Sequence, residues 1–294
     1  MRFFVSLLVD GVLAGAVYAL VALAFVVVYK ASRMVNFALG EWAMLGTRLA
    51  ATGLYAVGLE LPGSIGLACA ATVVMAIAFN RLVLRHLVGR SLVSVIMVTL
   101  GLGAVLRGAT TLVFGGIPSV VPLPIPPEPV VVYGVLVSTE RLVAAVIAAL
   151  GVAALSWFFR RTRTGLALQA IADDQQVAMA MGIDIHRHFS ITWALVGALS
   201  VVAGTLWAFA FGGVFGVVLI GLKVFPIVII GGLDSIAGAL VGAVVIGVLE
   251  SLAVGYLDPI AGAGFSGISS YLVLLAMLLV RPYGMFGRPD IPRV

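Results

Sequence analysis

The chain has 294 residues, of which 63% are hydrophobic and only 10% charged. A soluble domain is nearer half apolar with about a quarter of its residues charged, so this excess cannot hide in one globular core and a polytopic helical membrane protein follows. The formal net charge of +5 does not point to nucleic acid, because the basic residues gather in short loops between apolar runs, the positive-inside pattern of membrane proteins.

Phe4 to Val28 is the first predicted span, marred only by Asp10 and Gly11. No small-residue cleavage site precedes the next charges, so it reads as a retained span and not as a removed leader. Lys30 and Arg33 follow on the inner side. Met34 to Val57 is too apolar for a loop yet carries Asn36, Gly40 and Glu41, and a helix break is expected there near mid-membrane. Leu59 to Leu61 is a short outer loop, and Pro62 to Asn80 is the next span. Arg81, Arg85, His86 and Arg90 form a second basic inner loop, and Ser91 to Phe114 is a span containing Arg107.

Residues 115–141 differ in kind. They hold six prolines, at 118, 122, 124, 126, 127 and 129. The valine-rich run 130–137 predicts a small strand pair around Tyr133 and Gly134. This segment is expected outside, as a semi-rigid external loop. Leu142 to Phe159 returns inward, with Trp157 as an interface anchor.

The longest polar interruption is 160–188, expected in the cytoplasm. Arg160, Arg161 and Arg163 open it, and Asp184, His186, Arg187 and His188 close it. Asp173 and Gln176 have the spacing of a capping box, predicting two short helices separated at Ala172 and Asp173 with the second starting at Asp174. Gly182 followed by Ile183 predicts a left-handed stop. The small apolar face of Val177, Ala178 and Met181 suits a groove on a soluble partner. An amphipathic loop lying on lipid fits the same residues.

Phe189 to Phe211 runs outward, and Gly212 to Gly221 is predicted as a glycine-rich turn. Leu222 to Gly232 spans about 16 Å if helical, roughly half a bilayer, and is expected to be a half-helix or a strongly broken helix. Ala237 to Tyr256 carries Gly238, Gly242 and Gly247 as small packing faces, with Glu250 inside it. Ile268 to Val280 is the last span. Twelve of the seventeen basic residues fall in the inner loops, which puts the N-terminus outside and the C-terminus, with Arg281, Arg288 and Arg293, in the cytoplasm. The fold class is an all-α polytopic membrane protein of eight or nine spans, some discontinuous, forming one transmembrane domain over 1–294.

No phosphate-binding loop surrounds either lysine, Lys30 or Lys223. One cysteine, Cys69, and three scattered histidines give no metal site and no nucleophile pair. Intramembrane charges are functional suspects: Glu41, Arg107, Lys223 and Glu250. Arg107 and Glu250, at similar depth, are expected to pair structurally, and a transport role fits them equally. Asn36 can cap the helix break or line a cavity. Lys223 can steer an anion or snorkel.

Several motifs resemble one family. The run from Thr164 through Gly165, Ala170, Asp173, Asp174 and Ala178 to Gly182 and Ile183 resembles the cytoplasmic coupling loop of ABC importer permeases of the branched-chain amino-acid (LivH-type) group. Asn36, Phe37, Ala38, Gly40 and Glu41 resemble its N-F-A-H-G-E motif, with Leu39 where histidine is usual. Thr99 to Gly108, Phe114 to Pro118, Lys223 to Pro226, Gly231 to Gly242 and Arg281 to Gly287 are similar to further family motifs, with Asp234 and Ala237 replacing a common glycine and proline.

The resemblance implies the ABC importer permease fold and a membrane subunit for branched-chain amino acids or a related amide, urea or aromatic acid. It implies a bacterial inner-membrane location and these partners: a second homologous permease, two ATP-binding subunits, a periplasmic binding protein and membrane lipid. ATP and Mg would sit on the partner subunits, so this chain itself would be no enzyme and would bind no cofactor. Asn36, Gly40, Glu41 and Lys223 would line the translocation pathway. The alternative is an ion-coupled secondary transporter using Glu41 and Glu250.

Overall fold

The computed structural model describes residues 1–87, 91–117, 121–125, 128–132, 135–212, 214–262, 264–281 and 284–287. Pro118, Pro126, Pro127, Tyr133, Gly134, Arg90, Arg288 and Arg293 lie outside them. The order is α1 (Arg2–Ser32), α2 (Leu39–Tyr55), α3 (Leu61–Leu82), a 3-10 turn (Leu84–His86), α4 (Leu92–Phe114), β1 (Val130–Val132), β2 (Val135–Val137), α5 (Thr139–Arg161), α6 (Arg163–Asp173), α7 (Gln175–Ala180), α8 (Ile185–Phe211), α9 (Val214–Gly231), α10 (Ile236–Tyr256), α11 (Asp258–Ala261) and α12 (Phe265–Val280).

Among the described residues six helices, α1, α3, α4, α5, α8 and α10, are long and apolar enough to cross a membrane, and α9 and α12 contain shorter apolar helices. The two strands pair antiparallel, Val130 with Val137 and Val132 with Val135, as the valine run predicts.

Two expectations are corrected. The stretch 212–221 is not a turn, because α9 begins at Val214 and runs 18 residues with Pro226 inside it. That is about 27 Å, close to a full hydrocarbon thickness. The half-helix reading took the glycines as breakers, whereas Gly221 is a packing contact. The break after α1 also falls earlier than expected, at Arg33–Ala38, so Gly40 lies inside α2.

The chain divides into two compact units, 1–26 with 125–149 and 223–294, and 27–124 with 150–222. In the second unit α3 and α8 run antiparallel. Thr72 Oγ1 donates to Gly197 O (3.2 Å) and Asn80 Nδ2 to Ser190 Oγ (3.1 Å), while Phe79 and Trp193 meet edge to face at 5.6 Å. Small residues let α2 and α8 approach. A Cβ on Gly46 would stand 2.8 Å from Val201 Cα, and one on Gly204 would strike Ala43 O. Ala50, Ala51, Ala68, Val121 and Val201 close a core beside them.

In the first unit α1 and α10 cross on glycine. Gly11 and Gly15 meet Gly247, Val248 and Val244 so closely that a Cβ on Gly15 would lie 2.8 Å from Val244 Cα. Small faces of this kind replace hydrophobic driving force inside a membrane. Gly238 and Gly242 pack on Gly231 and on Ile227 O in the same way, the role read for them from the sequence.

Candidate functional site

Two clusters of polar residues lie inside the helices, one in each unit. The first surrounds the joint between α1 and α2. Helix α1 stops where Arg33 takes a left-handed φ of 54°, a conformation that costs a non-glycine residue roughly 1–2 kcal/mol. Asn36, 1% exposed, turns its Oδ1 back to accept from Ala38 N at 3.0 Å. Its Nδ2 has no partner among the described residues.

One face of α4 then follows the chain. Thr99 Oγ1 accepts from Phe37 N at 3.4 Å. One turn on, Gly103 leaves room for the Glu41 carboxylate, which a Cβ there would meet at 3.2 Å. Arg107, one turn further, donates to Glu41 Oε1. Gly40 faces the other way, and a Cβ on it would lie 2.5 Å from Val218 O and 3.1 Å from Gly221 Cα. The spacing 99, 103, 107 is thus a helical stripe that tracks residues 37–41.

The second cluster joins α1, α9 and α10. Tyr18 is the one polar-tipped side chain between Gly11 and Val28. Its hydroxyl donates to Glu250 Oε2 at 2.6 Å and accepts from Lys223 Nζ at 3.3 Å. Lys223 also pairs with Glu250 Oε1. Each group satisfies two others, the arrangement that makes buried charge tolerable.

These pairings correct the expectation that Arg107 meets Glu250. Arg107 pairs with Glu41 and Glu250 with Lys223. Depth along a span is readable from sequence, but the direction a side chain faces around its helix depends on packing. Both carboxylates required by the ion-coupled alternative are therefore held by a fixed cation. Tyr18 and Gly103 were missed, and Thr99 was named only as part of a family motif. The signal for Tyr18 was its isolation in an apolar run, and for the others the four-residue spacing to Arg107.

The middle of the 160–188 segment forms α6 and α7, while Arg160 and Arg161 end α5 and His186, Arg187 and His188 open α8. The cap of α7 is Asp174, whose Oδ1 accepts from Gln176 N (2.8 Å) and Val177 N (3.0 Å). Asp173 ends α6 instead, so the capping box was read one residue early; a D-D pair offers two registers and only the backbone chooses. Gly182 takes φ 81°. Its N donates to Met179 O and Ile183 N to Ala178 O, the double-bonded stop that the Gly-Ile pair predicts.

Ala178 is buried, whereas Val177, Met179 and Met181 are exposed, so the outward apolar face excludes Ala178. Gly165 packs on Phe159 Cα, where a Cβ would stand at 2.7 Å. Two bonds tie this segment to the end of α1: Arg33 Nη2 to Ala172 O and Gln175 Nε2 to Ala31 O, both 3.4 Å. Among the described residues no three His, Cys, Asp or Glu side chains gather to hold a metal.

Comparison with known proteins fits this geometry. A solved chain titled PsaBC from Streptococcus pneumoniae in complex with Fab shares the fold with a TM-score of 0.50 at 16% identity, covering 94% of this chain and 92% of its own. BraD of Pseudomonas aeruginosa, a high-affinity branched-chain amino acid transport system permease protein, is 29% identical over 98% of this chain and 97% of its own. LivH of Escherichia coli K12, of the same description, is 27% identical over 99% and 98%. The profile described as branched-chain amino acid transport system, permease component, matches residues 7–281, and the chain belongs to that family of multi-pass membrane permeases.

Proposed function

We propose that the chain is the membrane subunit of an ATP-driven importer for branched-chain amino acids or a related small carboxylate or amide. The observation that carries this reading is the pair of bonds from the α6–α7 joint to Ala31 and Arg33. They connect an exposed apolar helix, suited to a soluble partner, with the joint that bears Asn36 and Glu41. Force applied at Val177, Met179 and Met181 reaches that joint through a few residues of backbone.

In this proposal two ATP-binding subunits dock on α6 and α7, carry the ATP and Mg, and do the hydrolysis. A second permease and a periplasmic binding protein complete the assembly, with α6 and α7 in the cytoplasm and 115–141 outside. Asn36, Gly40, Glu41 and Lys223 belong to the translocation path. The orphan Nδ2 of Asn36 is a donor for a solute carboxylate or amide oxygen, and burial makes such a bond worth more than in water. Leu39, 2% exposed, contributes an apolar surface where the family's histidine would bring an ionisable ring.

The test is uptake of radiolabelled leucine into proteoliposomes holding the complete complex. Uptake should require ATP and binding protein and persist when ionophores collapse ion gradients. Uptake that follows a proton or sodium gradient without ATP would overturn the reading.

A further inference from the structure

A groove of about 780 Å³ opens between the end of α3 and the start of α8, and is lined in part by Ile77, Arg81, Arg85, Arg187, Ile191 and Ala194. The two helices run antiparallel, so their lining can be ordered by depth. On α3, residues 77, 81 and 85 follow one another at four-residue spacing. On α8, 187, 191 and 194 share a face in the same way. On both walls the arginines stand at the end next to α6 and α7; the bonded pair Asn80 and Ser190 lines the groove within a turn of them, and Ile77 and Ala194 lie deeper, with Ile191 beside Ser190.

The charge at the mouth is positive. Asp184 also lines the groove, but its Oδ1 is engaged by Arg187 N at 3.1 Å as the cap of α8. Among the described residues Arg81, Arg85 and Arg187 form no ion pair with it. All three are exposed.

We infer that this groove is a binding site for an anionic phospholipid, whose phosphate is held by Arg81, Arg85 and Arg187 and whose acyl chain lies along Ile77, Ile191 and Ala194. The order of the lining is the order of an amphiphile. A basic pocket between transmembrane helices at a membrane face is where such headgroups bind. A soluble partner's acidic segment can match the arginines, but it has no reason to reach apolar residues inside the hydrocarbon. The inference rests on α3 and α8 crossing the membrane and is independent of the solute carried.

The test is native mass spectrometry of the complete complex purified from membranes containing phosphatidylglycerol and phosphatidylcholine. The wild type should retain phosphatidylglycerol in preference to phosphatidylcholine. R81Q/R85Q/R187Q should lose roughly tenfold or more of that retention, while R160Q/R161Q, which removes two exposed arginines outside the groove, should keep it. A phosphatidylglycerol with a photoreactive acyl chain, used on the wild-type complex, should label peptides carrying Ile77 and Ala194, whether or not the variants fold.

Equal retention of both lipids, retention unchanged in the triple variant, or photolabel absent from those peptides would overturn the inference. So would displacement by excess inorganic phosphate, which would mark a headgroup-only anion site. Loss of the ATP-binding subunits from the triple variant with lipid retained would assign the groove to that partner instead.

Discussion

Glu41 and Arg107 form an unequal pair: the carboxylate side chain is 8% exposed and the guanidinium side chain 58% exposed. Removing Arg107 strands a charge in the interior, whereas removing Glu41 leaves a cation that can find other partners. R107Q should therefore lower thermal stability more than E41Q, by about 3 kcal/mol if the stranded carboxylate stays ionised. E41Q/R107Q should recover part of that loss. Adding E250Q to R107Q should give only the sum of the two single effects, because the residues belong to different pairs. Thermal unfolding of the detergent-purified variants, followed by size-exclusion fluorescence, checks all three. Rescue of R107Q by E250Q would restore the Arg107–Glu250 pairing.

Tyr18 has two polar partners, so Y18F should cost about 1–3 kcal/mol by leaving part of the Lys223–Glu250 pair unsatisfied. K223M/E250Q should be milder than K223M alone. The same unfolding assay reads both, and a Y18F protein as stable as wild type would mean that the hydroxyl contributes nothing.

Arg33 separates stability from coupling. R33G relieves a left-handed backbone by roughly 1–2 kcal/mol but removes the bond to Ala172. The variant should be at least as stable as wild type, while solute-stimulated ATP hydrolysis of the reconstituted complex falls. Unchanged coupling would show that the Arg33–Ala172 bond transmits nothing.

In the 160–188 segment D174A should lose the cap of α7, about 1 kcal/mol, and D173A should lose none. G182V should disfavour the stop by roughly 1–2 kcal/mol and uncouple ATP hydrolysis from transport. Helix content and ATP turnover of the assembled variants check this. Equal effects of D173A and D174A would contradict the Asp174 cap.

Topology is tested in a Cys69→Ala background by impermeant thiol labelling of intact cells. Glu128→Cys should label and Gln176→Cys should not, since both positions are exposed and differ only in the side of the membrane assigned to them. The reverse pattern would invert the orientation.

The spans were legible because a long apolar run between basic loops has only one physical solution in a membrane. The strand pair at 130–137 and the Gly182 stop were legible because local backbone chemistry decides both. What faces what was not. Gly40 reads as a helix breaker until Gly221 is seen against it, and the partners of Arg107 and Glu250 depend on helix rotation, which leaves no mark in a nearly uniform apolar sequence. Gly103 carried no signal at all apart from its spacing to Arg107. The capping aspartate was off by one residue for the same reason that it was found: both acids suit the position.

Pro226 sits inside α9 and has no N–H, so the carbonyl of Leu222 cannot receive the helical bond that residue 226 would otherwise give it. That carbonyl precedes Lys223, whose side chain holds Glu250. The chain thus carries a native spectroscopic reporter. An isotope label at the Leu222 carbonyl should absorb at higher frequency than the same label placed on a hydrogen-bonded helical carbonyl, and its band should move whenever water, a solute or another donor reaches it during turnover.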